Sequence, residues 1–385
     1  MIYLDYNATT PTDPRVVAAM TPYFNDISAN PSSTHSAGYK ARDAVDHARN
    51  SLGDLLNSRI DEVYFTSGGT EADNIAIKGT AFAQEKRKKI ITSAIEHHAV
   101  LTTCDYMQKF GFNILKVPVD QYGILDLEFL EDRIDENTLL VSIMHANNEV
   151  GTIEPIKEIS KIAHRHGAIF HTDAVQTVGK IPVDINTLEI DMLSLSGHKF
   201  YGPKGVGALV VRKGIRFDPL CHGGHHEGGK RAGTENVPGI VGLGKACEIA
   251  QHEMSDDENR VRLLRDRLWT GLGAAIPELK LNGHPEKRLA NTLNLSVRYI
   301  EGESVLLQLD AQGIYASSGS ACTSGSLEAS HVLLAMGVPH DMVHGSLRFS
   351  VGKFSTEFEV DKVVEILPGI VEKLRAMSPL YKHKE

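Results

Sequence analysis

The sequence predicts an α/β fold: a large domain around a mostly parallel sheet, followed by a smaller α+β domain. Three observations predict it. Short apolar runs alternate with helical patterns from about residue 60 to 215, which is the signature of βαβ units. The pattern changes after about residue 240, where a long helical stretch (242–274) carries a charge-rich middle. A chain of 385 residues is also long enough for two domains with a large core.

Taken in order, Val63–Thr66 is expected as a strand and 71–84 as a helix. Lys89–Ser93 and 114–118 are further strands. The β-branched run 139–144 leads through a loop to a helix at 156–166, and strands follow at 168–171, Met192–Ser196 and 206–211. The helix 242–274 bridges the domains. The smaller domain then has a strand at Thr292–Val297, a helix at 304–312, a loop of small residues, a helix at 330–335, a strand at Ser346–Ser350 and a final helix at 357–375. The first dozen residues are expected to join it. The expected division is 13–255 for the large domain, with 1–12 and 256–385 forming the small domain that carries loop 317–328. Sites in sheets of this kind lie at the carboxyl ends of the strands.

Composition narrows the function. A net charge of −9 argues against a nucleic-acid binder driven by phosphate contacts. The basic run Lys86-Arg87-Lys88-Lys89 reads as a solvated helix end. The four cysteines, Cys104, Cys221, Cys247 and Cys322, are far apart and lack C-x-x-C spacing. A disulfide framework or Cys-rich zinc site is therefore not expected, and a reducing compartment is. No signal-peptide pattern opens the chain and no apolar run approaches the ~18–20 residues of a spanning helix. A cytoplasmic protein with no membrane partner is the expectation.

Four segments carry chemistry. Ser317-Ser318-Gly319-Ser320-Ala321-Cys322-Thr323-Ser324-Gly325-Ser326 mounts one thiol among small residues. A core cysteine usually sits among apolar bulk. Alone, this stretch fits a Ser/Gly linker with a passive cysteine as well as it fits a displayed nucleophile. His171-Thr172-Asp173-Ala174-Val175-Gln176 places a carboxylate at a strand end, and Ser196-Gly197-His198-Lys199 places a lysine at another. Such a pair suits pyridoxal phosphate, whose aldehyde takes a lysine amine and whose ring nitrogen takes a carboxylate. Thr66-Ser67-Gly68-Gly69-Thr70-Glu71-Ala72-Asp73-Asn74 joins a strand to a helix and offers backbone N–H groups to a phosphate. A glycine turn with an ordinary N-cap threonine explains that segment too. Neither nucleotide-binding glycine motif is present.

Together these segments resemble the pyridoxal-phosphate enzymes of the class V aminotransferase group, and more narrowly the cysteine desulfurases of the NifS/IscS type. The resemblance covers nearly the whole chain. It begins at Tyr3-Leu4-Asp5-Tyr6-Asn7-Ala8-Thr9-Thr10-Pro11 and continues through Asn30-Pro31-Ser32-Ser33-Thr34-His35 and Glu96-His97-His98-Ala99-Val100. His145-Ala146-Asn147-Asn148-Glu149-Val150-Gly151 and Arg231-Ala232-Gly233-Thr234-Glu235-Asn236 extend it. The small-residue loop at Cys322 is that group's own form; an Arg-x-Gly-His-His-Cys loop is not present.

The resemblance implies fold type I with a seven-stranded, mostly parallel sheet, and pyridoxal 5'-phosphate as cofactor. It makes Lys199 the Schiff-base lysine, Asp173 the partner of the pyridinium nitrogen and Gln176 the partner of the phenolic oxygen. His97 would stack on the ring and move protons. Gly69, Thr70, Ser196 and His198 would hold the phosphate, with Thr234 reaching it from the partner of a homodimer. Asn148 would contact the ring or substrate, and Arg348 would clamp the substrate carboxylate. L-cysteine would become L-alanine, its sulfur passing as a persulfide on Cys322 to an iron–sulfur scaffold or other acceptor. No intrinsic metal is implied; a cluster would meet Cys322 only during transfer.

Two departures stand out. In Cys221-His222-Gly223-Gly224-His225-His226-Glu227-Gly228-Gly229-Lys230-Arg231, Gly228 and Lys230 replace arginines that are frequent in the group. The short C-terminal stretch looks more like the nitrogen-fixation branch. Rival readings are another pyridoxal-phosphate enzyme, such as an aminotransferase or selenocysteine lyase, and a sulfur carrier on an inactive fold.

Overall fold

The computed structural model describes residues 1–84, 86–318, 329–379 and 381. Strand β1 (Ile2–Tyr3) opens the chain. The large sheet follows from β2 (Val63–Thr66), β3 (Lys89–Ser93), β4 (Asn113–Val117), β5 (Thr138–Ser142), β6 (Ile169–Asp173), β7 (Met192–Ser196) and β8 (Gly207–Val211). These seven lie in the order β2-β8-β7-β6-β5-β3-β4. Only β8 runs against its neighbours, β2 and β7. Strands β3, β5, β7 and β8 are buried along their whole length, as expected for a sheet covered on both faces.

Parallel direction sends the carboxyl ends of β2, β3, β5, β6 and β7 to one edge. Five of the motif segments quoted from the sequence, 66–74, 96–100, 145–151, 171–176 and 196–199, each lie at one of these ends. Gly207 allows the closest approach there. A Cβ on it would fall 2.5 Å from the Leu195 carbonyl oxygen and 2.7 Å from the Gly68 Cα. Only glycine lets the Gly68-Gly69 turn fold onto the start of β8.

A second, antiparallel sheet is formed by β9 (Leu279–Asn282), β10 (Thr292–Val297) and β12 (Ser346–Ser350), in the order β12-β10-β9. The short strand β11 (Ile314–Tyr315) pairs in parallel with β1. Leu4 therefore packs in the core beneath the second sheet, with Leu268, Leu295, Phe349 and Leu367. The chain's first residues belong structurally with this region.

The helix Val237–Ala275 spans 39 residues. It begins five residues earlier than the expected 242, because Asn236 caps it by accepting from the Gly239 N–H and Pro238 occupies its first turn. Its buried residues up to Ala250 pack in the core of the large sheet, and those from Val261 pack in the second core.

Other expectations need correction. The helix expected at 71–84 starts at Gly69, passes through a π-helical stretch (Ile75–Gly79) and ends at Phe82. The basic run 86–89 is not a solvated helix end. Arg87 donates to the Thr138 carbonyl at 3.1 Å, and Lys89 is buried at the start of β3 with an ion pair to Asp135 at 3.0 Å. Backbone carbonyls at the strand starts recruit these cations. Ser36–Leu56 and His98–Met107 are helices as well, beyond the elements expected from the sequence.

Candidate active site

Five strand ends and the first residues of the chain enclose a cavity of about 290 Å³. Asp173, at the end of β6, is buried and accepts from the Val175 N–H at 2.9 Å through Oδ1. Oδ2 has no hydrogen bond among the described residues, and the side chain borders the cavity. Burial raises this carboxyl to about 6, while Lys199 opposes the rise. A buried carboxyl at the wall of a cavity is suited to a protonated ring nitrogen.

Lys199 follows β7 in a short 3₁₀ turn. Its Nζ donates to the carbonyls of Asn7 at 2.6 Å and Ala8 at 2.9 Å. The next turn is strained: Tyr201 holds φ 67°, with its N–H on the Thr10 hydroxyl at 2.8 Å. The N-terminal segment thus forms one wall of the cavity. The sequence motif at 3–11 does not reveal this role, because backbone carbonyls leave no mark in residue type.

The phosphate-type end lies where the helix begins at Gly69. A Cβ on Gly69 would fall 2.5 Å from Val175 Cγ2, so only glycine brings the helix start against the turn after Asp173. Gly69, Thr70, Ser196 and His198 also line an adjoining hollow of about 380 Å³. His198 shares a 3.0 Å hydrogen bond with the Thr9 hydroxyl, and burial, then Lys199, lowers it to about 4. A neutral ring next to first-turn N–H groups makes a cradle for an anion without placing another cation there.

His97 ends the segment after β3. Its Nδ1 accepts from the Ala99 N–H at 3.1 Å and so caps the helix His98–Met107. Burial, with Lys199 next, lowers it to about 4. The ring is therefore neutral near pH 7, and its proton sits on Nε2. Taking a proton at Nε2 would require the tautomer to change and the cap to break.

Arg348, on β12, is buried. Nη2 pairs with Asp5 at 2.8 Å, Nη1 donates to the Asn148 carbonyl at 3.2 Å, and Nε is buried without a partner among the described residues. Asn148 itself borders the cavity. Gln176 donates through Nε2 to the Asn7 carbonyl at 3.0 Å.

Of the expected residues, Gly69, Thr70, His97, Asn148, Asp173, Gln176, Ser196, His198, Lys199 and Arg348 all border one cavity. Thr234 is exposed and does not border it. Cys322 lies outside the described residues. The described chain meets that loop at two anchored ends. Ser317 exchanges backbone hydrogen bonds with Arg348 at 3.1 and 2.6 Å. Ser330 donates to the buried Glu149 at 2.5 Å. Asp73 was also missed: it is a fully buried carboxyl bordering the cavity, raised well above its usual range by burial and by Asp173. The motif around Thr70 contained it, but nothing in its spacing distinguished it from a helix-surface acid.

Residues 2–363 match the family described as aminotransferase class-V. The chain belongs to the class-V aminotransferase family. The chain is 56% identical over 380 residues to a cysteine desulfurase IscS of Methanosarcina thermophila, covering 98% of this chain and 94% of that one. A solved NifS-like protein superposes with a TM-score of 0.92 at 41% identity, over 97% of this chain and all 100% of that one. A structure described as SspA in complex with cysteine gives 0.83 at 36% identity, over 92% and 100% of the two chains. The resemblance read from the motifs and the expected fold type I sheet both stand. Class-V aminotransferases of this kind use pyridoxal phosphate, and so does this one. The cavity suits that group: a buried carboxyl, a lysine amine, a histidine ring and an anion cradle border one space.

Proposed function

We propose that the chain is a cysteine desulfurase, which takes sulfur from L-cysteine, releases L-alanine and passes the sulfur to an acceptor. The observation that carries this reading is the meeting of Lys199, Asp173, His97 and Arg348 around one cavity, beside the two anchored ends of the loop that contains Cys322. An aminotransferase of the same family would have no use for a thiol on that loop.

Asp173 would hold the ring nitrogen of pyridoxal phosphate, and Gly69, Thr70, Ser196 and His198 its phosphate. Bound, the cofactor supplies an electron sink for the charge left at the substrate's α carbon. Arg348 receives the substrate carboxylate with the Nε–H that has no other partner among the described residues, while Asp5 fixes the far edge of the guanidinium. Lys199 would be the base for the α proton; the Asn7 and Ala8 carbonyls hold its Nζ at the cavity wall. His97 would stack on the ring and would donate from Nε2. The Cys322 thiolate attacks the substrate sulfur. The substrate's C–S bond and the Cys322 S–H bond break, and an S–S bond and a C–H bond form, so the exchange needs no outside oxidant.

The same reading makes the enzyme a cytoplasmic homodimer that delivers sulfur to an iron–sulfur scaffold or another acceptor. Thr234 is exposed and lies away from its own chain's cavity, which agrees with a dimer in which it would reach a neighbour's phosphate. Among the described residues no helix is long and apolar enough to cross a membrane. We also place the domain boundary within Val237–Ala275, between Ala250 and Val261, where the helix changes cores.

The test is direct. Adding pyridoxal phosphate gives a visible absorbance band that Lys199→Ala lacks. After incubation with L-cysteine, mass spectrometry finds one extra sulfur on the Cys322 peptide and alanine in solution. Cys322→Ala keeps the band and releases no sulfide; normal turnover by that variant would overturn the persulfide route.

A further inference from the structure

Gln176 and Lys180 lie one turn apart on the segment after β6. Lys180 Nζ donates to Gln176 Oε1 at 2.8 Å, and Gln176 Nε2 donates to the Asn7 carbonyl at 3.0 Å. Each partner has a single role. A lysine can only donate and a carbonyl can only accept. The two together leave the amide one orientation, with its NH₂ toward Asn7 and the cavity and its oxygen away from it. Nε2 carries a second hydrogen, and the side chain borders the cavity.

The segment is also held from below. Gly179 has φ 74°, and a Cβ there would fall 2.7 Å from Phe200, the residue after Lys199. The turn that carries Lys180 is therefore wedged against the turn that carries Lys199. Lys180 has no other hydrogen-bond partner for its ammonium among the described residues. Lys199 and Arg348 face it as like charges, and with burial as the larger cause they lower it to about 7. Asp257, Glu258, Tyr6 and Tyr201 share with it a small hollow of about 40 Å³. The ammonium form can only donate to Gln176 Oε1; the neutral amine can also accept, but it keeps hydrogens to donate and the accept-only Asn7 carbonyl favours the same orientation.

We propose that Lys180 is a positioning residue: it fixes the Gln176 amide with its N–H toward the cofactor's ring oxygen, and so sets how readily the Lys199 nitrogen holds a proton. This rests on the pyridoxal-phosphate reading of the site. A donor at the ring oxygen draws off the electron density that would otherwise favour a proton on the neighbouring nitrogen. Without Lys180 only the Asn7 carbonyl holds the amide, and whenever it turned it would present its carbonyl and do the reverse.

The measurement is the midpoint pH of the visible band of the holoenzyme, which reports the proton on the Lys199 nitrogen. Lys180→Met raises the midpoint by about 0.5 pH unit or more, roughly a threefold gain in proton affinity. Lys180→Arg keeps the donor and stays within about 0.2 unit of the parent. In a Gln176→Leu background, Lys180→Met adds less than about 0.2 unit, because the residue acts through the amide. An unchanged midpoint in Lys180→Met overturns the proposal, and so does an equal shift in the Gln176→Leu background. Should the Met variant not fold, Lys180→Gln carries the test, since its amide no longer fixes Gln176 and the midpoint must still rise. A parent protein with no band would overturn the cofactor reading itself, and is distinguished by that absence.

Discussion

At the scale of single residues, His97 has two tasks that one substitution cannot separate. Its Nδ1 caps a helix and its ring faces the cavity. His97→Ala removes both, so it is expected to lower stability by about 1 kcal/mol, as the loss of a cap does, and turnover by roughly 10²–10⁴. His97→Asn restores the cap through its side-chain oxygen and restores no proton transfer. Its denaturation midpoint is expected near the parent's, with turnover as low as that of the alanine variant. Recovery of turnover by His97→Asn would show that the cap is the whole of its role. Lys199 and Asp173 were legible in the sequence because strand ends place side chains by rule. Asn7, Ala8 and Lys180 were not, because a carbonyl used as an acceptor, or a lysine used behind another residue, looks like any other.

At the scale of elements, the site depends on how closely a helix start can approach a turn. Gly69→Ala introduces a Cβ 2.5 Å from Val175 Cγ2. Val175 lies between Asp173 and Gln176, so relieving the contact displaces both cofactor contacts and the phosphate cradle together. The variant is expected to fold and to bind pyridoxal phosphate at least about tenfold more weakly, a cost near 1.4 kcal/mol, measured by titration of the absorbance band. Unchanged affinity would mean that the turn yields freely. The alternation of apolar runs made the strands of the large sheet legible to within a residue or two. The helix Ser36–Leu56 was passed over because its apolar face is built largely from Gly38, Ala41, Ala48 and Gly53, which carry little hydrophobic signal. Those small residues are needed by the packing. A Cβ on Gly244 would fall 2.6 Å from Ala48, so the helix and Val237–Ala275 touch nearly backbone to backbone. The run 86–89 was misread for the opposite reason: charge marked it as surface, while carbonyls at the strand starts bury its cations.

At the scale of the whole molecule, the buried ionisable groups of the cofactor-free chain fall into two opposed sets. His97, His145 and His198 are lowered to about 4 and His171 to about 3, chiefly by burial. A lowered histidine leaves the folded state short of a proton that the unfolded chain binds. Stability is lost as pH falls from 6.5 through the folded value. Burial raises Glu96 and Glu154 to about 8, Glu149 to about 7 and Asp173 to about 6, and Asp73 rises with them. A raised carboxyl leaves the folded state with a proton that the unfolded chain lacks, so stability is lost as pH rises from the usual carboxyl value through the folded one. Between about pH 4.5 and 6.5 the two sets nearly cancel, at about 1.4 kcal/mol per pH unit for each group. Above 6.5 only the carboxyls act, and Lys180, lowered to about 7, offsets one of them. Below 4.5 the remaining histidine protonation adds to the loss of the pairs that Glu253, lowered to about 2, makes with Arg15 and Lys353. The denaturant midpoint of the cofactor-free chain is therefore expected to be flat from about pH 4.5 to 6.5 and to fall on both sides, by on the order of 3 kcal/mol by pH 8. A chain more stable at pH 8 than at 5.5 would show that the buried carboxyls ionise on folding. Pyridoxal phosphate should lift the pH 8 value most, because its protonated ring nitrogen would pair directly with an ionised Asp173, adding to the charge of Lys199.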